Sequence, residues 1–391
     1  MVRQGRLARL GLLAALLLLA GCSTVTDWIS PAEVDPPAEL KEITPKVRAE
    51  TLWSRDLGAG SDDKRLHLVP RYLDGRLYVA GADGEVTALD AASGRVLWQV
   101  DLEAPLSGGP GAGQGLVVVG TLDAEVIALS LEDGSLRWRA PVSSEVLSTP
   151  AVAGDRVVVR TIDGKVQGLN LADGKEIWRY ERQIPVLTLR GTSDPVVSGD
   201  HVICGMAGGK LLNLDLRTGA VIWDVTVSVP SGRSELERLA DIDGNPLVLD
   251  GLIYVATYQG EVAALEEASG EVLWRRKFSS YSGMAADRYN VYAADADGLV
   301  WALDADNGAA RWRQEALRNR RLSDVAVLDD SVAVGDFEGY VHLLATADGA
   351  LVGRTRVGSD PITRGVLVAD GVLYVMGDGG ELAALRLMKA E

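Results

Sequence analysis

The chain has 391 residues, 47% of them hydrophobic, and a formal net charge of −16. That length suits one large domain or two ordinary ones with a sizeable core. So acidic a surface excludes nucleic acid, whose binders carry basic patches, and attachment to anionic lipid by charge alone. The 44 glycines point to many tight turns between short strands.

The N-terminus reads as a targeting segment. Arg3, Arg6 and Arg9 precede an apolar run, Leu10 to Ala20, that is short for a membrane span. The run ends "LAGC", Leu19 to Cys22, a small-residue cleavage site set directly before a cysteine. This resembles a bacterial lipobox, so residues 1–21 are expected to be a signal peptide and Cys22 a lipidated first mature residue. The alternative is an ordinary secretory signal with a chance cysteine. Ser23, where an Asp would resemble the inner-membrane retention signal, favours the outer membrane. Several acyl chains anchor stably where one is marginal. Residues 22–48 hold four prolines and many charges and read as a tether; Trp28 within it has no assigned role. The mature chain keeps one protein thiol, Cys204, so it has no intramolecular disulfide. Its setting, "HVICGM", reads as a buried and inert strand position.

From there the chain repeats. "ALDAASGRVLW" ends at Trp98, "ALSLEDGSLRW" at Trp138 and "GLNLADGKEIW" at Trp178. Further copies end at Trp223, Trp274 and Trp312, and a degraded one has Gly353 in the tryptophan position. Runs of Val, Leu, Ile and Tyr alternate with Asp-Gly and Ser-Gly turns, the chemistry of antiparallel hairpins. One unit reads as four strands; in the third these fall near Thr149–Ala153, Arg156–Arg160, Lys165–Leu169 and Lys175–Tyr180. Only "SELERLAD", Ser234 to Asp241, has a trace of helical period. Four strands in about 43 residues, repeated, is the pattern of a β-propeller blade. The tryptophan lies on the fourth, outermost strand, where a large ring wedges neighbouring blades. The last unit stops at "ELAALRLMKAE" with three strands, and "ETLWSRDL", Glu50 to Leu57, supplies an orphan fourth with Trp53 in the repeat position. The fold predicted is therefore all-β: an eight-bladed β-propeller over residues 49–391, its ring closed by the N-terminal strand.

Departures from the repeat mark candidate functional segments. Tryptophans in the repeat position, from Trp53 to Trp312, are spaced 45, 40, 40, 45, 51 and 38 residues apart. The adjacent long spacings around Trp223 place two enlarged loops side by side on one rim, flanking blade 4. The first contains "QIPVLTLRGTSDP" with Leu187, Leu189 and Arg190; the second contains "VSVPSGRSELERLADIDGNP" with Asp241 and Asp243. Apolar residues ringed by charges on projecting loops suit protein docking. The plain alternative is that the leucines pack on blade 4 and the acids cap turns. The first long spacing carries "GAGSDDKRL", which reads as a solvated flexible loop.

No catalytic constellation stands out. His67, His201 and His342 lie on different blades in strand-like contexts and read as structural or solvated. No Cys/His cluster has metal-ligand spacing, no serine sits in a nucleophile elbow, and "GAGQG", Gly111 to Gly115, lacks the helix a phosphate loop needs. Catalytic, cofactor and metal residues are therefore all expected to be none.

Two resemblances follow. The pattern AxDxxxGxxxW, clearest at Ala88, Asp90, Gly94 and Trp98 and at Ala302, Asp304, Gly308 and Trp312, resembles the quinoprotein dehydrogenase repeat. It implies the fold, and as an alternative function a periplasmic oxidoreductase using pyrroloquinoline quinone and calcium on the propeller axis. Many such enzymes have a vicinal cysteine pair, which this chain lacks. A sugar- or peptide-binding propeller is a third class. The lipobox, proline-rich tether, eight-bladed layout, "LTLRG" (Leu187 to Gly191) and "ERLADIDGNP" (Glu237 to Pro246) are similar to the BamB family of lipoproteins in outer-membrane β-barrel assembly. That resemblance implies a non-catalytic scaffold at the periplasmic face of the outer membrane. It implies docking on the POTRA repeats of BamA through Leu187, Leu189, Arg190, Asp241 and Asp243, with unfolded outer-membrane proteins as further candidate partners.

Overall fold

A computed structural model describes residues 35–61, 66–183, 185, 187–189, 193–234 and 236–390. Its strands form eight sheets, each built on four antiparallel strands and one with a fifth, arranged as an eight-bladed β-propeller. Blades 1 to 7 span residues 71–101, 106–141, 151–180, 196–226, 247–278, 285–314 and 325–356. In the third blade the strands are Ala151–Ala153, Arg156–Arg160, Val166–Asn170 and Glu176–Tyr180, within two residues of those the pattern implies. Blade 8 takes three strands from 365–389 and its outer strand, Val47–Asp56, from the other end of the chain, paired with Glu381–Lys389. Second and third strands are almost wholly buried, whereas outer strands alternate. Apolar clusters fill the spaces between successive blades.

Each position of the repeat has a mechanical job. Every outer strand carries a bulge at the residue before the tryptophan position, shown by a register shift in all eight blades. A bulge adds twist and re-aims the next side chain, here the tryptophan, toward the following blade. The alanine of the motif is the small residue opposite the ring, as Ala88 is to Trp98 and Ala302 to Trp312. The aspartate caps the hairpin, Asp90 Oδ1 accepting from the Ser93 amide at 2.9 Å. The glycine receives the tryptophan of the preceding blade. Seven glycines (94, 134, 174, 219, 270, 308 and 349) have φ between +67° and +73°. A Cβ on any of them would lie 2.5–2.8 Å from that ring. Each of the seven indole N–H groups then donates to a backbone carbonyl of the same neighbouring blade at 2.8–3.2 Å. Trp53 docks on Gly94 and Ala91 of blade 1 in this way, so the N-terminal strand closes the ring with the same joint.

Gly353 is not a decayed tryptophan. Blade 8 has no hairpin before its outer strand, because that strand comes from the N-terminus, so no glycine platform exists to receive a ring from blade 7. The N-terminal chain crosses there instead: Lys46 N donates to Val352 O at 2.7 Å, and a Cβ on Gly353 would sit 2.5 Å from Val47 O. The helical trace at 234–241 also resolves differently. Its described residues make turns, with Arg238 N bonded to Ser234 O at 3.2 Å and no helix. The segment is too short to pass the costly nucleation of a helix.

Gly308→Ala should destabilise the propeller by about 3 kcal/mol, combining left-handed strain with overpacking against Trp274. Gly251→Ala, at φ +79° with nothing within 4 Å of its Cβ, should cost only about 1–2 kcal/mol. Denaturant unfolding of both variants checks this; equal losses would remove the joint from the account.

Candidate functional site

In every blade the chain leaves the outer strand on the same face from which it enters the next inner strand. The loops after blades 3 and 4 therefore share one rim, and the structure fastens them together. Asp241 is the clamp. Its Oδ2 accepts from the Leu189 amide at 2.7 Å and its Oδ1 from the Gly208 amide at 2.8 Å. Its own carbonyl accepts from Tyr258 N at 2.9 Å, so one residue ties both loops to turns of blades 4 and 5. A second tie joins Asp194 and Asn245 through two hydrogen bonds of 2.7 and 2.8 Å. Arg182 pairs with Asp224 at 2.6 Å beside them. Charge-assisted bonds are about twice as strong as neutral ones, and here they supplement the burial of Val227, Leu239 and Ile242 in the second loop.

The residues singled out in the sequence separate by depth. Leu187 is 43% exposed and Leu189 half-buried. Asp241 and Asp243 are buried, at 4% and 3% exposure, and face the interior of the rim. Asp241 thus holds the loops in shape. Arg190 and Cys22, like Trp28, lie outside the described residues. Two apolar residues of the second loop were not singled out: Val229 and Leu236, exposed by 72% and 64%. The run "VSVP" within the longest spacing was the available signal for Val229.

Beneath this rim lies a buried polar cluster that the sequence conceals. The stretch read as a solvated loop ends at Leu66, which is buried, as are the His67 and Leu68 that follow it. His67–Leu68 pairs in parallel with Gly108–Gly109, on the inner side of blade 2; residues 62–65 lie outside the described set. His67 Nδ1 is 3.0 Å from Asp194 Oδ1, and Arg364 Nη1 donates to His67 Nε2 at 2.8 Å. Asp194 leads into the inner strand of blade 4 and Arg364 into that of blade 8. These blades face each other in an eight-membered ring, so this chain of bonds crosses the axis. Burial alone would raise the Asp194 pKa, but His67 and the donors from Thr149 and Asn245 hold it below the ordinary range.

Asp243 has the opposite fate. Burial pushes its pKa up to about 7; Arg364 and Arg160 pull against this, and neighbouring Asp241 adds to it. Arg160 is itself buried and spends Nη1 on the Ser193 carbonyl and hydroxyl, each at 3.2 Å. Cys204 is fully buried, its thiol pushed up to about 12 by desolvation, so it is not a nucleophile at neutral pH. His201 shares a hydrogen bond with Asn213, and His342 is fully buried against Asp336.

Because the folded pKa of Asp243 lies above its unfolded value, the native state binds the extra proton between about pH 4 and pH 7. The corresponding stability is present at low pH and lost as pH rises through 7. Asp243→Asn should therefore gain on the natural protein by on the order of 2 kcal/mol more at pH 8 than at pH 5. Denaturant midpoints at the two pH values measure this, and a pH-independent difference would sink it.

Comparison with known proteins agrees with this architecture. The family model described as outer membrane protein assembly factor BamB matches residues 48–99, 82–314 and 296–387. The outer membrane protein assembly factor BamB of Pseudomonas aeruginosa is 50% identical over 376 residues, covering 96% of this chain and 98% of that protein. The crystal structure of BamB from Moraxella catarrhalis superposes with a TM-score of 0.79 at 28% identity, covering 87% of this chain and all of that one. A quinohemoprotein alcohol dehydrogenase from Comamonas testosteroni reaches a TM-score of 0.67 at 13% identity, over 87% of this chain and 76% of its own, and shares the fold alone. With the matched model and the near full-length relative together, the chain belongs to the BamB family of outer membrane protein assembly factors.

Proposed function

We propose that this protein is a non-catalytic scaffold of outer-membrane protein assembly, docking its blade 3–5 rim on the periplasmic POTRA repeats of BamA. The observation that carries the reading is the clamped pair of enlarged loops, which presents Leu187 beside Leu189 on a frame held by Asp241. Rigid display of an apolar anchor lowers the ordering cost of binding. In this reading Leu187 and Leu189 supply the buried contact and Arg190 a charge-assisted hydrogen bond. Asp241 and Asp243 act from beneath, by shaping the loops. Lipid on Cys22, after removal of residues 1–21, holds the propeller at the periplasmic face of the outer membrane.

A quinone and calcium on the axis fit these residues poorly. Asp194 and Asp241 already accept from His67, Thr149, Asn245, Leu189 and Gly208 within the chain. Freeing them for a metal would break the ties between the loops.

The test is capture of BamA by the mature protein. Leu187→Ala combined with Leu189→Ala should weaken capture by roughly tenfold or more while the circular dichroism of the propeller is retained. Undiminished capture by the folded double variant would remove this patch. Failure of the natural protein to capture BamA would remove the reading itself.

A further inference from the structure

The chain just before the first strand is not a free tether. From Ala38 to Lys46 it runs along blade 7 from the docking rim to the opposite end of the outer strand. Ala38 N donates to Arg318 O at 2.9 Å, and Lys46 N to Val352 O at 2.7 Å. Leu40 packs into the apolar cluster of Leu317, Leu322 and Trp312. Between these points two arginines hold two carbonyls of the segment. Arg320 Nη1 donates to Ala38 O at 3.0 Å and Arg354 Nη1 to Lys41 O at 3.1 Å.

Both guanidinium groups are aimed by one buried pair. Arg320 Nε donates to Asp336 Oδ2 at 2.8 Å, while its Nη2 bonds Glu338. His342 Nε2 lies 2.8 Å from the same Asp336 oxygen, and Arg354 Nε donates to His342 Nδ1 at 3.2 Å. Asp336 and His342 are fully buried. Nδ1 is thus an acceptor, and the ring is the neutral tautomer with its proton on Nε2.

We propose that residues 38–46 form a releasable strap, and that protonation of His342 opens the clasp that holds it. A proton on Nδ1 would set an N–H against the Arg354 Nε–H and a third positive charge beside Arg320 and Arg354. The groups facing His342 are Asp336, Arg354, Arg320 and, through Arg320, Glu338, with the Tyr340 ring 6.2 Å away. The strap's own charges, Glu39, Lys41, Glu42 and Lys46, are exposed. Asp336 retains the imidazolium, so Arg354 is the group displaced, and Lys41 O loses its donor. Burial, opposed by Asp336, holds the His342 pKa below the ordinary imidazole value. The stability of the neutral clasp is therefore complete above that value and falls as pH drops beneath it. With that bond gone the strap keeps the Arg320, Ala38 and Lys46 bonds and the Leu40 contact, and once these part as well nine residues are free and the chain ahead of the propeller gains roughly 30 Å of reach. If Cys22 carries lipid, the clasp sets how far the docking rim can stand from its membrane.

The experiment places a nitroxide on Glu42→Cys in the mature protein carrying Cys22→Ser, where the remaining native thiol, the buried Cys204, does not compete for label. The spectrum should be immobilised at pH 7.5 and turn mobile at pH 5 while the circular dichroism of the propeller is unchanged. His342→Gln keeps one donor and one acceptor but takes no proton, so it should stay immobilised at both pH values. Arg354→Ala should be mobile at both. A natural spectrum unchanged between the two pH values, release only together with unfolding, or a pH response retained in His342→Gln would each overturn the gate. An immobilised label in Arg354→Ala at pH 7.5 would overturn the clasp.

Discussion

A tryptophan from one blade resting on a glycine of the next is the contact on which this structure depends. A four-stranded sheet cannot bury both faces alone, and blades splay apart toward the outside of a ring. The indole fills that widening gap, and its N–H satisfies a carbonyl that would otherwise be buried without a donor. The glycine is required twice over, for its positive φ and for the absence of a Cβ beneath the ring. Seven copies of the joint, one of them made by Trp53 of the first strand, turn separate sheets into a closed ring with no free radial edge.

A ring held at its periphery leaves the rim and the axis free to vary. The enlarged loops around blade 4, the buried His67 strand and the strap at residues 38–46 are three departures from the repeat. All three are fastened by charged side chains: Asp241 to two amides, Asp194 and Arg364 to the His67 ring, Arg320 and Arg354 to carbonyls. Such bonds add order to segments whose apolar side chains are also buried, and in a low-dielectric setting they are strong only while complete. The same chemistry makes these places sensitive to protons. Asp243 and His342 are shifted in opposite directions by the same cause, because burial disfavours whichever form is charged.

Much of this was legible in the chain. The repeat period fixed blade number and closure, because hydrophobic alternation and Asp-Gly turns are local signals that recur wherever the same strand geometry is needed. Spacing then located the two loops, and Leu187 is exposed on one of them. The bulge before each tryptophan was not legible, since it depends on how a strand pairs with its neighbour. The reason for Gly353 was hidden too: it lies in Val47, which is distant in sequence and passes over that position only once the ring is closed.

The sequence by itself determined which elements form and in what order, since strand and turn preferences act over a few residues. Tertiary structure alone decided the depth of Asp241 and Asp243. It also put His67, read as a structural or solvated strand residue, into a bond across the axis, and brought His342 under a segment some three hundred residues earlier. The physical reason is that burial and pairing are properties of position in the closed ring. Closure places residues from blades 2, 4 and 8 within hydrogen-bonding reach of one another, an arrangement that no local pattern encodes.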